Sequence, residues 1–344
     1  PDLKALKAFD LNYILTIFKK EHPWLRKAES TGLQATDKDL FEAYKGFFSK
    51  KRKFPKFKSK KYPKQSYQSK CIGKNIEILS DSYIKLPKLG IMKYKGRQDI
   101  STIIKFVTVR KSAQNKYYAI LTVDQKMIPL DKTGCSVGLD MGVSDLVICS
   151  NGTKYKTIRF DKRLAKKKHF WEKRLARRRI RALKEINLKK KRGLIDPKPL
   201  EQYSNYIKAK VMVAKYSEKI ANQRNDYLHK ITSQLVKDND LIVIEDLKTK
   251  NLLSNRKLSR AIANQSWRTL RLMLEYKCAW YGKELRVVSP YKTSQVCSNC
   301  RYDDGKHELD VRQWICPNCK SVLDRDINAS KNILNIGLEQ AIVR

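Results

Sequence analysis

The sequence predicts an α/β protein built from several domains, and three observations support this prediction. Its 344 residues are enough for two or three domains with a sizeable core. Helical periodicity near the N-terminus gives way to short strand-like runs separated by turn residues. In the rest of the chain, short apolar strands alternate with long helices, a pattern typical of α/β sheets.

The N-terminal segment, residues 1–62, is predicted to be a helical module. Apolar residues recur at helical spacing from about Leu6 to Phe48, and His22-Pro23 interrupts the pattern. We therefore expect two helices with a break between them.

Basic and aromatic residues alternate where the helical module ends. Lys53, Lys56 and Lys58 flank Phe54 and Phe57. The stretch is either a solvated linker or an arm that binds the nucleic-acid backbone and offers rings for base stacking. The high positive charge of the whole chain favours the arm.

Residues 63–133 are predicted to form a small β domain. Short runs of β-branched and aromatic residues are separated there by turn residues. The runs are 75–79, 83–86, 103–109 and 117–123. Strands this short and this closely spaced predict a small barrel or sheet.

Residues 134–288 carry the alternation of strands and helices. We expect strands near 137–143, 146–149, 155–159, 241–244 and 284–288. The expected helices are 163–192, 201–237 and 262–281. A last helix, about 327–338, lies in the final segment 321–344, which follows an insertion at 289–320.

Three carboxylates have surroundings that call for a cation. Asp140 lies in an apolar strand, Glu245 follows a run of aliphatic residues, and Asp326 lies where the last helix begins. An unpaired carboxylate in apolar surroundings is costly unless a cation meets it. Oxygen ligands suit Mg²⁺, and two such ions about 4 Å apart can activate a water and stabilise a leaving oxygen.

Each carboxylate taken alone also has a purely structural interpretation. Asp140 suits a turn, Glu245 suits a strand end, and an Asp before a helix is most often an N-cap. Their joint occurrence in an α/β pattern favours a shared metal site. Asp324 and Asp326 cannot both face one point from a helix start, so we expect one of them to cap the helix or pair with Arg325. We prefer Asp326 as the metal ligand and keep Asp324 as the alternative.

Two C-x-x-C pairs give the most specific metal-binding signal. The pairs are Cys297 with Cys300 and Cys316 with Cys319. Four thiolates at this spacing predict a tetrahedral Zn²⁺ site, and they leave no position open for catalysis. Redox chemistry is disfavoured because neither pair follows a βαβ pattern. The other cysteines occur singly, as expected for reduced thiols.

The charge of the chain narrows the class of partner. Lys and Arg total 75 against 34 Asp and Glu, a formal net charge of +41. This excess favours binding to phosphate backbones, with an affinity that falls steeply as salt rises. We find no apolar run that could span a bilayer and no signal peptide, so we expect no membrane partner and a cytoplasmic location.

The basic helix at 163–192 concentrates part of this charge. It contains Lys166, Lys167, Arg177 and Arg178 and few acidic residues. Such a helix is either a solvated face or a nucleic-acid contact. Because like charges on one helix repel each other, the lack of acidic compensation favours bound RNA or DNA.

Several motifs, spread over almost the whole chain, occur together in an order typical of one family. They are His22-Pro23-Trp24-Leu25, Lys53 to Lys60, Gly138 to Val143, Ile244 to Lys248, Asn251 to Leu253, Arg256 to Leu258, both C-x-x-C pairs and Asp324 to Leu334. Together they resemble the TnpB family, transposon-encoded RNA-guided nucleases that are similar to type V CRISPR effectors.

The resemblance implies an RNase H-like (RuvC) nuclease core with an inserted zinc ribbon, a helical recognition module and a β-barrel-like wedge domain. It implies that Asp140, Glu245 and Asp326 are catalytic and bind Mg²⁺, and that the four paired cysteines bind Zn²⁺. It further implies a guide RNA, a double-stranded DNA target cut beside a short flanking motif, and a prokaryotic cell in which the DNA-bound protein joins the nucleoid. It leaves the oligomeric state open.

The sequence departs from the family pattern in three places. Arg301 and Lys320 replace the glycine often found after each C-x-x-C, and Leu323 stands where a polar residue is common. The family's opening strand is missing before the helical module. Closure of the wedge barrel and reading of the flanking motif would depend on that strand.

Two other functions are compatible with these motifs. One is a nuclease-inactive, RNA-guided DNA-binding repressor, and the other is a protein-only RuvC-like nuclease that reads DNA shape. The three intact carboxylates argue against the repressor. The long basic helices and the extra helical module exceed what a protein-only nuclease core requires.

Overall fold

The structure, a computed structural model, describes residues 7–57, 59, 65–96, 102–193, 198–247, 259–308 and 311–342. The chain divides into two compact units. The first contains residues 1–126 and 186–215, and the second contains residues 127–185 and 216–344. The boundaries of the five predicted domains stay a prediction. Within the described residues, no helix combines the length and the apolar character that a bilayer crossing requires.

The first unit begins with the expected pair of helices. Helix α1 (Ala8–Glu21) ends two residues before Pro23, a 3-10 helix (Pro23–Lys27) follows, and α2 covers Ser30–Phe48. Proline has no N–H and so cannot continue the hydrogen-bonded ladder of α1. Helix α2 starts sharply because the Glu29 carboxylate accepts from the backbone N–H groups of Thr31 and Gly32.

Six strands of the first unit form two antiparallel sheets of three strands each. The strands are β1 (Gln65–Lys70), β2 (Glu77–Ser80), β3 (Tyr83–Leu86), β4 (Gly90–Lys93), β5 (Ile103–Lys111) and β6 (Tyr117–Asp124). The sheets have the orders β1-β5-β6 and β2-β3-β4. They share a small core whose buried members are Ile76, Ile84, Leu86 and Val107. Among the described residues no strand pairing joins the two sheets, so closure into a barrel stays a prediction.

The second unit is built on one mixed sheet of five strands. They are β7 (Ser136–Asp140), β8 (Asp145–Cys149), β9 (Lys154–Lys156), β10 (Leu241–Glu245) and β11 (Glu284–Val288). Their order is β11-β10-β7-β8-β9. Strand β10 is parallel to both β7 and β11, whereas β8 and β9 run antiparallel to their neighbours. Every residue of β10 is buried, which explains its continuous aliphatic run.

Strand β9 is followed by the helices α3 (Phe160–Arg163), α4 (Ala165–Lys191) and α5 (Ser204–Asp238). They continue with α6 (Ser259–Gln265), α7 (Trp267–Tyr281) and α8 (Arg325–Ile342). The single helix predicted at 262–281 is wrong at Ser266, which has φ 57° and separates α6 from α7. Polar anchors hold this break: Gln265 donates to the Val143 carbonyl, and the Ser266 hydroxyl accepts from Arg224.

Helix α8 lies against the sheet at unusually short range. A Cβ at Gly138 of β7 would overlap the Ser330 carbonyl, and one at Gly337 would overlap the Val243 side chain of β10. Glycine at both positions therefore lets the helix contact the strands directly. This close packing sets the start of α8, with Asp326, beside the ends of β7 and β10.

Candidate active site

Asp140 and Glu245 lie at the carboxyl ends of adjacent parallel strands. Leu139 of β7 is opposite Ile244 of β10, and each acidic residue is the next along its own strand. Because neighbouring strands are about 4.8 Å apart, this register brings the two carboxylates to one edge of the sheet.

The electrostatics of Asp140 indicate that the other two predicted ligands lie near it. Burial, followed by the negative charges of Glu245 and Asp326, raises the pKa of Asp140 to about 7, against a smaller opposing effect of the Met141 N–H and Arg325. A proton or a cation is therefore favoured at this position. Sequence-distant segments thus bring Glu245 and Asp326 within electrostatic reach of Asp140.

Glu245 has a single described hydrogen-bond donor. Its side chain is 6% exposed, and the Thr293 hydroxyl donates to its Oε1 at 2.6 Å. Burial raises the pKa of Glu245, and the Thr293 hydrogen bond opposes that rise only in part. Neither carboxylate at the strand ends is paired with a described lysine or arginine.

The two candidate aspartates of the last helix have different environments. Asp324 Oδ1 accepts from the backbone N–H groups of Asp326 and Ile327, and Oδ2 accepts from Lys154 Nζ at 2.7 Å. Burial alone would raise the pKa of Asp324, but Lys154 and the two backbone donors hold it below its usual range. Asp324 is thus the N-cap, paired with Lys154 rather than with Arg325, and its carboxylate is already neutralised.

Asp326 is more available to a metal ion. Its side chain is 25% exposed, and its nearest cation, Arg312, lies at 3.5 Å and is itself 62% exposed. The geometry therefore favours Asp326 over Asp324 as the ligand, and the assignment stays a prediction.

The spacing of the three carboxylates bears on how many ions they fit. Among the described residues, no choice of one oxygen from each of Asp140, Glu245 and Asp326 brings all three within 4.8 Å of one another. A single Mg²⁺ with oxygen ligands at about 2.1 Å would need them closer than that. The predicted pair of ions, about 4 Å apart and sharing the ligands, stays a prediction.

The four cysteines of the C-x-x-C pairs form a compact cluster. Their Sγ atoms all lie within 4.8 Å of one another, with Cys297–Cys319 and Cys300–Cys316 both at 3.6 Å. Tetrahedral Zn²⁺ with sulfur at about 2.3 Å separates its ligands by roughly 3.7 Å, whereas a disulfide requires about 2 Å. The cluster therefore fits a structural zinc ion.

Two of the departures from the family pattern lie beside this cluster. Leu323 lies on β13 (Val322–Asp324), which pairs with β12 (Gln313–Ile315), and it packs with Trp314 against the buried cysteines. Arg301 and Lys320 have φ values of 65° and 58°, the conformation that glycine adopts most easily. The turns after both C-x-x-C pairs are thus kept at some strain.

Sequence reasoning missed the polar residues that connect these parts. Thr293 contacts Glu245, and Asn328 and Asn332 lie buried in α8. Both asparagines donate to the Val296 carbonyl, at 2.8 and 2.6 Å. The available signal was two asparagines four residues apart on the apolar face of a helix, where an amide needs a partner.

The predicted nucleic-acid-binding residues are spread over two regions. Lys53 and Lys56 are exposed, and Lys58 lies outside the described residues. Phe54 packs edge-on against Phe47 at 5.3 Å, so of the two predicted stacking rings only Phe57 is fully free.

The other predicted contacts lie on α4. Lys166, Lys167 and Arg177 are exposed and Arg178 is half-buried. Together with Arg174 and Arg181, the two arginines line a groove of about 280 Å³. Four arginines at positions i, i+3, i+4 and i+7 share one helix face.

Comparisons with known proteins agree on one group. A family model described as "Probable transposase" matches residues 118–256, and one described as "Cas12f1-like, TNB domain" matches residues 267–333. The chain is 34% identical over 339 residues to a "Putative RNA-guided DNA endonuclease" of Streptomyces pristinaespiralis, covering 94% of this chain and 76% of the relative.

Two further likenesses point the same way. "Putative RNA-guided DNA endonuclease InsQ" of Escherichia coli (strain K12) is 32% identical over 338 residues, covering 92% of this chain and 77% of that protein. The fold is similar to that in a cryo-EM structure of a Cas12f1-sgRNA-target DNA complex, with a TM-score of 0.50 and 18% identity over 89% of this chain and 70% of that one.

Proposed function

The chain belongs to the TnpB family of transposon-associated RNA-guided DNA endonucleases, and from that premise we propose which of its residues perform the cleavage. It hydrolyses phosphodiester bonds of DNA that is complementary to a bound guide RNA. The observation that carries the proposal is the position of Asp140 and Glu245 at the ends of adjacent parallel strands, with Asp326 near enough to raise the pKa of Asp140.

Asp140, Glu245 and Asp326 are the catalytic residues of this proposal, and they hold divalent ions. Mg²⁺ is the ion that an all-carboxylate donor set with room for water and phosphate suits best. A pair of ions held by these carboxylates would supply activation of the attacking water and stabilisation of the leaving oxygen. Asp324, neutralised by Lys154, fixes the start of α8 and so orients Asp326.

The nuclease core of the proposal is RNase H-like, of the RuvC type. Its support is the five-stranded sheet, in which three consecutive strands are antiparallel and the last two join parallel to the first. The zinc ribbon at 289–320 is inserted between β11 and α8, and the four cysteines fold it around one Zn²⁺. The helices at 1–62 serve as the recognition module and the two small sheets at 63–133 as the wedge domain.

Guide RNA and double-stranded target DNA bind to basic surfaces. The arginine face of α4, together with Lys166 and Lys167, supplies cations with little acidic compensation, and Lys53 and Lys56 supply others. Contacts of this kind act mainly on phosphates, so they set affinity and not sequence. Base pairing with the guide selects the target, and cleavage occurs beside a short flanking motif.

The testing experiment starts from the purified full-length chain expressed with its own transposon end. We expect RNA to co-purify, and we expect the complex to cut DNA that matches this RNA in Mg²⁺ but not in EDTA. The repressor alternative predicts guided binding without cutting. The protein-only alternative predicts cutting that RNase treatment and added RNA leave unchanged.

A further inference from the structure

We infer that Thr293 is a positioning residue for Glu245: its hydroxyl fixes one carboxylate oxygen and leaves the other directed to the divalent ion. This inference rests on the proposed function of Glu245. Thr293 lies before the first C-x-x-C pair, outside the motifs that identify the three acidic ligands.

The contact itself is short and shielded from water. Thr293 Oγ1 lies 2.6 Å from Glu245 Oε1, and each residue is 6% exposed. An ionised carboxylate can only accept, so the threonine hydroxyl is the donor. Threonine is β-branched and stiff at χ1, so it holds the carboxylate in a narrower range of orientations than a serine would.

The backbone of Thr293 is in turn anchored to α8. The Thr293 carbonyl accepts from Asn332 Nδ2 at 2.9 Å. The same Asn332 amide donates to the Val296 carbonyl at 2.6 Å. Because α8 also carries Asp326, the chain of contacts from Glu245 through Thr293 and Asn332 sets the positions of two proposed ligands together.

Asn328 extends this connection to the zinc ribbon. Its amide donates to the Val296 carbonyl at 2.8 Å, and its Oδ1 accepts from the backbone N–H of Ser298 at 2.8 Å. Ser298 directly follows Cys297, which is fully buried in the cysteine cluster. The segment 293–298 is therefore hydrogen-bonded to α8 at both ends. These bonds keep the Thr293 hydroxyl oriented toward Glu245.

A hydrogen bond of this kind has a measurable consequence. Groups that orient a metal ligand typically change metal affinity or activity by about 10–100-fold when they are removed. Loss of the Thr293 hydroxyl frees the Glu245 carboxylate to rotate and removes the donor that supports its charge. We therefore expect weaker Mg²⁺ binding without loss of the fold or of the zinc site.

The test compares Thr293→Val, which keeps the shape and removes the hydroxyl, with Thr293→Ser, which keeps the hydroxyl. Mg²⁺ is titrated into the zinc-loaded full chain and the rise in melting temperature is followed. Thr293→Val should need about 10–100-fold more Mg²⁺ for half of the rise. Thr293→Ser should stay within about threefold of the parent, since the donor is retained.

Thr36→Val is the matched control, because it removes a threonine hydroxyl that bonds only to the Gly32 carbonyl within α2. Zinc content and binding of matching DNA should be unchanged in all three variants. Equal Mg²⁺ requirements for Thr293→Val and the parent would overturn the inference. So would equal impairment of the Val and Ser variants, because the retained hydroxyl of serine would then give no advantage.

A Glu245→Gln variant separates this inference from the proposed function. If Glu245→Gln loses the Mg²⁺-dependent rise while Thr293→Val keeps it, only the role of Thr293 is wrong. If Glu245→Gln itself keeps the rise and cuts guided DNA, the proposed metal site is wrong, and the inference about Thr293 is overturned with it.

Discussion

The two ends of strand β10 place a carboxylate in opposite electrostatic environments. Asp240, just before the strand, accepts from the backbone N–H groups of Thr133 and Gly134 and from the Lys283 ammonium, whose side chain is 1% exposed. The Lys283 hydrogen bond and these backbone donors hold the pKa of Asp240 far below its usual range. Glu245, at the other end, lies at the same sheet edge as Asp140, and its one described hydrogen-bond donor is the Thr293 hydroxyl.

The difference shows where the fold is organised for stability and where it is organised for binding. A strand end can be compensated with a lysine, as Asp240 demonstrates. The sheet itself therefore does not explain why Glu245 has no lysine or arginine partner among the described residues. Groups of like charge with raised pKa values concentrate at functional sites. This end of β10 is therefore where we propose that the protein binds a cation from solution.

Replacing the carboxylates at the two ends of β10 by amides should separate an effect on activity from an effect on stability. The loss of activity is the largest effect that we predict. Asp140→Asn, Glu245→Gln and Asp326→Asn should each lower guided cleavage by more than the roughly 10–100-fold typical of residues that only support a ligand. Asp240→Asn should leave the rate of the remaining folded protein unchanged. Single-turnover cleavage, with target binding measured in parallel, provides the check.

One pattern of results would reverse the assignment at the last helix. Normal cutting by Asp326→Asn together with inactive Asp324→Asn would make Asp324 the ligand and Asp326 the supporting residue.

In the metal-free protein, Asp140→Asn and Asp240→Asn should change the unfolding free energy in opposite directions. The Asp140 carboxyl has a pKa of about 7 in the folded protein against an ordinary value of 3.8, so the folded state binds the extra proton. Its contribution to stability is full below about pH 4 and is lost as the pH rises to 7. At pH 8, Asp140→Asn should therefore raise the unfolding free energy, by about 2–4 kcal/mol.

Asp240→Asn should lower the unfolding free energy under the same conditions, because it leaves the buried Lys283 without its counter-charge. Chemical denaturation in EDTA measures both variants. A destabilised Asp140→Asn protein would mean that the carboxylate is compensated in solution and that the contrast between the two strand ends is false.

Protons and Mg²⁺ should compete at the acidic end. Because the pKa of Asp140 is about 7, a proton occupies the ligand in a growing fraction of molecules as the pH falls below 7. The Mg²⁺ concentration for half-maximal stabilisation should then rise by up to tenfold per pH unit, the slope for one proton. Titrations at pH 6, 7 and 8 test this expectation, and a requirement independent of pH would contradict it.

The smallest predicted effect lies in the zinc ribbon and serves as a control. Lys320 has φ 58°, so Lys320→Gly should relieve strain and raise the unfolding free energy by about 0.5–1 kcal/mol. The substitution touches neither end of β10, so the Mg²⁺ requirement should not move. A changed Mg²⁺ requirement would show that the ribbon turn influences the carboxylates. That result would contradict the explanation based on the two strand ends alone.

The sequence predicted those features whose physical cause is local. The spacing of Cys297, Cys300, Cys316 and Cys319 alone predicts a four-thiolate metal site. An acidic residue directly after the aliphatic run of β10 is costly to bury, so it too could be identified from the sequence. The break at Ser266 was missed because it depends on Arg224, a residue of another helix.

Two other failures have the same origin in tertiary contacts. Strand β1 has only Ser69 buried, so its sequence carries no apolar alternation, and it forms by pairing with β5. Thr293 lies in a loop with no periodicity, and its role exists only once β10 and α8 have come together. Asp326 could be preferred over Asp324 on the sequence, but the cap and the Lys154 contact are properties of the folded chain.

The most direct test of the central claim is to locate the ions. Crystals of the protein with its guide RNA and an uncleavable target, grown with Mn²⁺ in place of Mg²⁺, give an anomalous signal at each bound ion. We expect signal at the edge of the sheet, among Asp140, Glu245 and Asp326, and none beside Asp240. Signal confined to other parts of the chain, with the three carboxylates bare, would contradict it.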